Sequence, residues 1–466
     1  MKQSFINPKV SIVKTVTYYP EFPYEKDEIL FNDLLTLLES VGLDRKNPFK
    51  DYIKANGVAL IKPNWVLDFN LSGKGLDCLL THISLIKYLI DLLAIAMNGS
   101  GTIIIGDAPL QNCDFENIKR YFKLDDLIIK MKNQHPGIDI KIEDWRLTKL
   151  VRLLKIGKRQ FIKSQDFQSI NFEEVNKYFK LIDLGSESFL EDIADFSNRF
   201  RVTNYKPSLI LKHHNKGKHE YLINKRIFDV DLVINFAKMK THIKAGLTGA
   251  LKNLVGINGH KEFLPHHIKG SYFEGGDNYL MPNWFRRKFE DFEDWFWEHV
   301  DERSIFENNI YRIVAKMLWI FSKFSVREEV SAGSWRGNDT IWRTILDLNH
   351  IAYFNEFKTR PILNIVDGII SGEGEGPLAP EPKLTGLLIA GWNPAYVDAV
   401  IAKLMGYTVA RIPAVYNAIY HRKSKFYAGD LRETKIDWVE NGVKQILAFE
   451  NLPNLQFKKP YYWRGA

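Results

Sequence analysis

Along the chain, short β-branched runs alternate with longer stretches in which apolar residues recur every third or fourth position. Five runs read as strands: Gly57-Val-Ala-Leu-Ile-Lys62, Gly101-Thr-Ile-Ile-Ile-Gly106, Asp231-Leu-Val-Ile-Asn235, Ile362-Leu-Asn-Ile-Val366 and Gly386-Leu-Leu-Ile-Ala390. Helical spacing predicts helices over about 84–97 (Leu85, Tyr88, Leu89, Leu92, Leu93), 114–131 and 395–405. The alternation implies an α/β fold of Rossmann-like layers with largely parallel sheets, in two lobes. Each run ends in polar or small residues, and ligands of open α/β sheets bind beyond the carboxyl ends of strands. Lys62-Pro-Asn64, Gly106-Asp107, the stretch from Asn235 to Lys240, and Asp367-Gly368 are therefore expected as edges of one pocket.

Between about Asn278 and Glu329 the pattern changes. Six of the eleven tryptophans lie from Trp284 to Trp342, and Phe285, Phe289, Phe292 and Phe296 share one helical face. A following helix, about Ile310 to Phe324, carries Ile313, Val314, Met317, Leu318, Ile320 and Phe321 beside Lys316 and Lys323. This reads as an aromatic-rich helical hairpin inserted between an α/β lobe at 1–277 and an α/β completion at 331–466, itself spanning 278–330. Such a hairpin packs on the core, closes an active site, or uses 282–328 as a homo-oligomer or peripheral membrane contact.

Composition narrows the partners. With 45% hydrophobic and 26% charged residues over 466 positions, the chain can bury a large core. Cys78 and Cys113 are the only cysteines, which excludes a disulfide framework, an all-cysteine zinc site and an intrinsic iron–sulfur cluster held by four thiolates. A reducing, cytoplasmic setting is expected. The N-terminal residues form no continuous apolar leader, and no apolar run approaches the roughly 20 residues needed to span a bilayer. The net charge of +8 favours anionic partners. Because basic residues are spread along the chain without a nucleic-acid-binding signature, a small anionic ligand is expected and nucleic acid is not.

Four segments carry candidate chemistry. The densest runs from Asn235 through Lys238, Lys240, His242, Lys244, Thr248, Lys252 and Asn253 to Lys261, His266 and His267. Its lysines alternate with small residues, Gly246, Gly249 and Ala250, that let a backbone approach an anion closely. In Trp335 to Asn349, Asp339, Arg343 and Asp347 are spaced by four, as a substrate clamp or an ion-pair ladder on a helix. Asp367-Gly-Ile-Ile-Ser-Gly-Glu373-Gly-Glu375-Gly-Pro377 reads as a flexible loop whose carboxylates could hold a divalent metal or act as acid and base. His213 to Tyr221 supplies imidazoles without the spacing of a metal motif.

Taken together, Lys62-Pro-Asn64-Trp, Thr81-His82, Gly106-Asp107-Ala-Pro109, His219-Glu-Tyr221, Lys238-x-Lys-Thr-His242, Thr248-Gly-Ala-Leu-Lys-Asn253, Gly337-Asn-Asp339, Asp367 to Pro377 and Asn393-Pro-x-x-x-Asp398 resemble the domain of unknown function 362 family, from about residue 55 to 415. Many of its members carry cysteine-rich ferredoxin-type segments, which this chain lacks. Within the central segment, His242-x-x-Ala-Gly-x-Thr-Gly-x-x-Lys252 with His266 and His267 downstream is also similar to a stretch of the lactate racemase family. That likeness implies Lys252 as an anchoring lysine, His242 as a proton shuttle, and His266 or His267 as a metal ligand.

The expected function is therefore an enzyme acting on a small or nucleotide-linked anionic substrate. Lys62, Asn64, Lys238, Lys240, Thr248, Asn253 and Arg343 would bind it, His242, Lys252 and Asp107 would act on it, and Asp367, Glu373, His266 and His267 would hold any metal. The alternative is a non-catalytic anion-binding or assembly protein whose aromatic insertion docks a partner or a membrane surface.

Overall fold

All five apolar runs enter one sheet, joined by five further segments. The structure is a computed structural model that describes residues 6–148, 150–156, 159–164, 172–299, 305–325, 330, 332–354 and 360–466. The strands of the central sheet are, in chain order, β1 (Val10–Lys14), β2 (Gly57–Lys62), β3 (Gly101–Asp107), β4 (Ile138–Asp144), β5 (Leu232–His242), β6 (Gly246–Thr248), β7 (Ile362–Glu375), β8 (Ala379–Gly391), β9 (Lys435–Glu440) and β10 (Val443–Ala448). Across the sheet they run β10-β9-β1-β8-β7-β5-β2-β3-β4, with β6 folded back on β5. From β7 to β4 all neighbours are parallel. β8 runs against both β7 and β1, β1 is parallel to β9, and β10 closes a hairpin at the far edge. The sheet is thus mixed but mostly parallel, and it takes strands from both sides of the aromatic insertion.

Helices cover both faces, as parallel strands require. On one face Glu28–Ser40 and Ile83–Ala96, with the helices between Phe115 and Gln134, pack on Ile61, Ile103, Ile105, Phe236 and Ile365. On the other, Ile341–Phe354, Pro394–Leu404 and Pro413–Tyr420 pack on Val10, Ile12, Ala237, Met239 and Val366. The Ile83–Ala96 and Pro394–Leu404 helices lie where apolar spacing places them. The helix expected over 114–131 is instead two, Phe115–Tyr121 and Leu124–Gln134. Lys123 between them sits at φ 47, in the left-handed region, which breaks the helical hydrogen-bond path.

Two expectations about loops change. β5 does not stop at Asn235 but continues to His242, so Lys238 and Lys240 lie inside a strand, opposite Asp367 and Gly372 of β7. The Gly/Glu-rich run, expected as a flexible loop, is mostly the second half of β7, where Glu373 pairs with Glu381 and Glu375 with Ala379 of β8. Close approach explains its glycines: a Cβ on Gly372 would stand 2.7 Å from the Cys78 carbonyl oxygen and 2.8 Å from Cβ of Lys240.

In the insertion, Trp284–Glu298 and Ile305–Ser325 pack as a hairpin through Phe292, Trp295 and Tyr311. Residues 300–304 and 326–329 of the expected segment lie outside the described residues. Phe296 is buried, whereas Trp284, Ile310, Ile313, Met317 and Phe321 are exposed. No described helix is long and apolar enough to cross a membrane.

If β7 is a packed strand, Gly372→Ala should cost about 1–3 kcal/mol, the usual penalty of overpacking, in urea unfolding. An unchanged midpoint would show instead that this stretch is loose.

Candidate functional site

β2 and β3 end side by side on Lys62 and Asp107, both buried. Lys62 Nζ donates to Asp107 Oδ1 at 2.5 Å, to the Pro63 carbonyl at 2.9 Å and to Asn253 Oδ1 at 3.3 Å. Asp107 also accepts the backbone N–H groups of Trp65 (2.8 Å) and Ala108 (2.9 Å). Burial drives both groups toward their neutral forms, and their mutual contact, with the N–H bonds on the carboxylate, opposes that drive. The backbone crosses this pair at Gly256, where a Cβ would lie 2.1 Å from Asp107 Oδ1.

From the pair, polar contacts run into the sheet. Asn235 of β5 lies beside Lys62 in register, and Asn364 of β7 beside Asn235. Asn64 Nδ2 donates to Asn253 Oδ1 (2.9 Å), Asn253 Nδ2 to Asn235 Oδ1 (2.8 Å), and Asn235 Nδ2 to Asn364 Oδ1 (2.8 Å). Asn364 Nδ2 ends the thread on the carbonyls of Gly391 and Trp392. The short helix Ala250–Asn253 that carries Asn253 is fixed by Asp398, which accepts the N–H groups of Ala250 (2.6 Å) and Leu251 (3.0 Å). Gly249 must lack a side chain here, since a Cβ would meet Asp398 Oδ1 at 2.2 Å. The Thr248-Gly249 and Asn393-Pro-x-x-x-Asp398 motifs thus meet at one contact.

Lys62, Asn64, Asp107, Lys252, Asn253 and His266 border one cavity of about 150 Å³, together with Arg146, His260 and Lys261. Its charges do not balance. Lys62 is matched by Asp107, and Arg146 by Asp144 at 2.6 Å. Lys252 has no carboxylate partner among the described residues, and Lys261 reaches only the Thr203 carbonyl. Lys244 nearby donates to Thr203 Oγ1 at 3.2 Å. These three lysines are half-buried. Burial first, then Lys62, brings Lys252 to about 8; burial brings Lys261 to about 8; burial first, then Lys261, brings Lys244 to about 7.

Two histidines complete the site with fixed tautomers. His242 Nδ1 accepts the N–H groups of Lys244 (3.0 Å) and Ala245 (3.1 Å), so in the neutral ring Nε2 carries the proton. His266 Nδ1 faces the Leu264 carbonyl at 2.6 Å, so its proton sits on Nδ1 and Nε2 is a free base. Burial holds both well below the usual histidine range, with Lys252 and Lys244 adding to it. His266 borders the cavity; His242 stands behind it, close enough to feel Lys252 and His266.

Other expected site residues are placed elsewhere. Lys238 and Lys240 point to the opposite side of β5, where Lys238 binds Asp367 (3.0 Å) and Tyr19 (2.7 Å), and Lys240 donates to the Leu79 carbonyl (2.5 Å). Thr248 is buried opposite Lys240 and does not border the cavity. Arg343 is spent on Asp339 and the Phe189 carbonyl, making one rung of the expected ladder; Asp347 is held by Ser188, Phe189 and Tyr221. Glu373 binds Lys383 and the Lys458 N–H, and Glu375 the Tyr461 N–H, so these carboxylates dock the C-terminal segment. His267 borders a different cavity from His266. The four residues expected to hold a metal, Asp367, Glu373, His266 and His267, therefore do not converge, and no metal-holding group of three or more His, Cys, Asp or Glu occurs among the described residues.

The reading of the sequence missed Arg146, which follows β4. Alternation in Ile138-Asp-Ile-Lys-Ile-Glu-Asp144 marks an edge strand with one exposed face, and it was not among the continuous apolar runs.

Removing one partner of a buried ion pair typically costs about 3–5 kcal/mol. Asp107→Ala should lose this much in urea unfolding, and adding Lys62→Met should restore part of it. A near-neutral Asp107→Ala would contradict the pairing.

No curated protein matches the sequence. Among solved structures, a structural-genomics crystal structure of a protein from Thermotoga maritima is similar at 11% identity and a TM-score of 0.35, over 82% of this chain and 60% of that one. This chain thus spans less than two thirds of that protein's length. Residues 147–403, more than half of the chain, match the family model described as Domain of unknown function (DUF362). Lys238, His242, Lys252, Asn253, Asp339, Asp367 and Asp398 fall inside that span, and the chain belongs to the DUF362 family.

Proposed function

We propose that the protein is an enzyme that takes a small or nucleotide-linked anionic substrate into the cavity at the ends of β2 and β3. The observation that carries this reading is the charge surplus: Lys252 and Lys261 border a cavity whose one lining carboxylate, Asp107, is already committed to Lys62. A bound anion is the missing counter-charge, and its binding would raise both lysines toward their ordinary range. Asn64 Oδ1, buried with no hydrogen-bond partner among the described residues, favours a ligand that also offers a hydroxyl or N–H.

In this reading Lys62, Lys252 and Lys261 hold the anion, and Asp107 fixes Lys62 rather than moving a proton. His266 Nε2, neutral and unprotonated, is the acceptor for a substrate proton. His242, outside the cavity lining, is neutral with its proton on Nε2. The two cysteine thiols, both buried, suit a reducing cytoplasmic setting. The exposed stripe of Ile310, Ile313, Met317 and Phe321 supports a second role, in which the insertion contacts another copy of the chain or a membrane surface while the cavity binds its anion.

Calorimetry with sulfate, a dianion throughout the range, tests the reading. Lysines that lose their proton near pH 8 are cationic below it, so affinity should fall at least about tenfold between pH 7 and pH 9. Lys252→Met should weaken binding by a similar factor at pH 7, whereas His266→Gln should leave it within about twofold. Affinity that is flat with pH and indifferent to Lys252 would defeat the proposal.

A further inference from the structure

A second cavity, of about 160 Å³, is linked to the first through Thr203. The segment Arg201 to Tyr205 forms part of the wall between them: Thr203 receives Lys261 and Lys244 from the anion side while also bordering the second cavity. Opposite stands the Trp284–Glu298 helix, which presents Phe289, Glu293 and Trp297 at spacings of four on one face. Tyr205 and Tyr279, both buried, add two more aromatic rings.

Three carboxylates of this helix reach the cavity, and they differ in what they bind. Asp294 takes both arms of Arg201 (2.8 and 2.9 Å) and Lys269 (2.5 Å). Glu290 accepts the Gly270 N–H (2.9 Å), Asn278 Nδ2 (2.5 Å) and the Tyr279 hydroxyl (3.1 Å). Glu293 has no hydrogen bond or ion pair among the described residues. Burial, then repulsion from Glu290 and Asp294, pushes it up to about 7. The nearby cations do not pair with it: Arg201 and Lys269 are occupied by Asp294, Arg286 lies over the Tyr279 ring at 5.0 Å, and Lys316 of the neighbouring helix borders an adjoining hollow with Glu293 without forming an ion pair to it. His267, on the opposite wall, is 6% exposed with Nδ1 unpartnered, and burial beside Lys244 and His266 keeps it neutral. The cavity therefore holds an acid with no ion pair among the described residues, set among aromatic rings, and is bordered as well by an imidazole with an unsatisfied nitrogen.

We propose that this cavity is a binding site for an alkylammonium group, with Glu293 as its counter-ion and Tyr205, Phe289 and Trp297 as its aromatic walls. Aromatic faces attract a cation most strongly where water is excluded. An organic cation fits better than a metal ion, because the carboxylates are not gathered into a metal-holding group. An anion would add to the repulsion that Glu293 already experiences.

Tetramethylammonium, titrated into the full-length protein against sodium chloride of equal ionic strength and followed by tryptophan fluorescence, is the probe. Saturable binding at pH 8 is expected, weakening about tenfold at pH 6 as Glu293 takes up its proton. His267 stays neutral over this window and contributes no slope. Glu293→Gln should remove most of the pH dependence and cost at least tenfold in affinity at pH 8; Glu290, also raised by burial, keeps three hydrogen bonds that favour its charged form and supplies only the remainder. It should also melt no lower than the native chain, since it removes like-charge repulsion, a result that a purely structural Glu293 would not give. Lys252→Met should leave this binding intact, separating it from the anion cavity. No saturable binding, or equal binding by Glu293→Gln, would overturn the proposal.

Discussion

A hydrogen-bonded thread of four asparagines, Asn64, Asn253, Asn235 and Asn364, crosses the middle of the sheet and meets the Lys62–Asp107 pair at its outer end. Unpaired amides in this position would each cost about 1–3 kcal/mol, so the thread is tolerated because Asn253, Asn235 and Asn364 each donate and accept, while Asn64 donates and leaves only its Oδ1 unmatched. It also fixes geometry. Asn235 and Asn364 are locked by strand register, Asn253 by the helix that Asp398 caps, and Lys62 by its strand end. The position of Lys62 and Asp107 in the cavity wall is thus set by the centre of the fold rather than by a surface loop.

Strand alternation then sorts the lysines of β5. Asn235, Ala237 and Met239 face one side, while Phe236, Lys238 and Lys240 face the other, under the Ile83–Ala96 helix. There Lys238 is neutralised by Asp367 with no exposed surface on either side chain. A buried pair of this kind contributes little net stability against an apolar substitute but fixes neighbours in place. It holds Tyr19, which stacks on His82 at 3.9 Å, and the His82 N–H, which donates to Asp367. The lysines past the end of β5 have no such partner, and this difference makes one cluster structural and leaves the other positively charged.

The strand-end rule pointed to Lys62, Asn64 and Asp107, because a parallel sheet delivers successive carboxyl ends to one side, whereas Lys252 and Asn253 stood out only through the lysines and small residues of their segment; all five border the same cavity. The rule failed for Lys238 and Lys240, where β5 continues past its apolar run, since pairing with β7 and β6 outweighs the polarity of the residues. Glycine content misled in Asp367 to Pro377: Gly372 and Gly376 are there for close backbone contact, 2.7 Å from the Cys78 carbonyl and 2.0 Å from that of Thr241 for an added Cβ. Arg343 illustrates the limit of spacing, which predicted its Asp339 partner and could not foresee that Ser188 and Tyr221 claim Asp347. The second cavity was invisible because its walls, at residues 201–205 and 284–297, meet only in the folded chain.

Everything proposed for the first cavity depends on its carrying positive charge with no carboxylate partner among the described residues. The most direct test is the titration of Lys252 itself, followed by NMR of its side-chain εCH₂ group and assigned with Lys252→Arg. A lysine buried beside Lys62 without a carboxylate partner should show a midpoint of about 8 in the free protein, moving upward when sulfate is bound. A midpoint near the ordinary lysine value of about 10.4 in the free protein would contradict it.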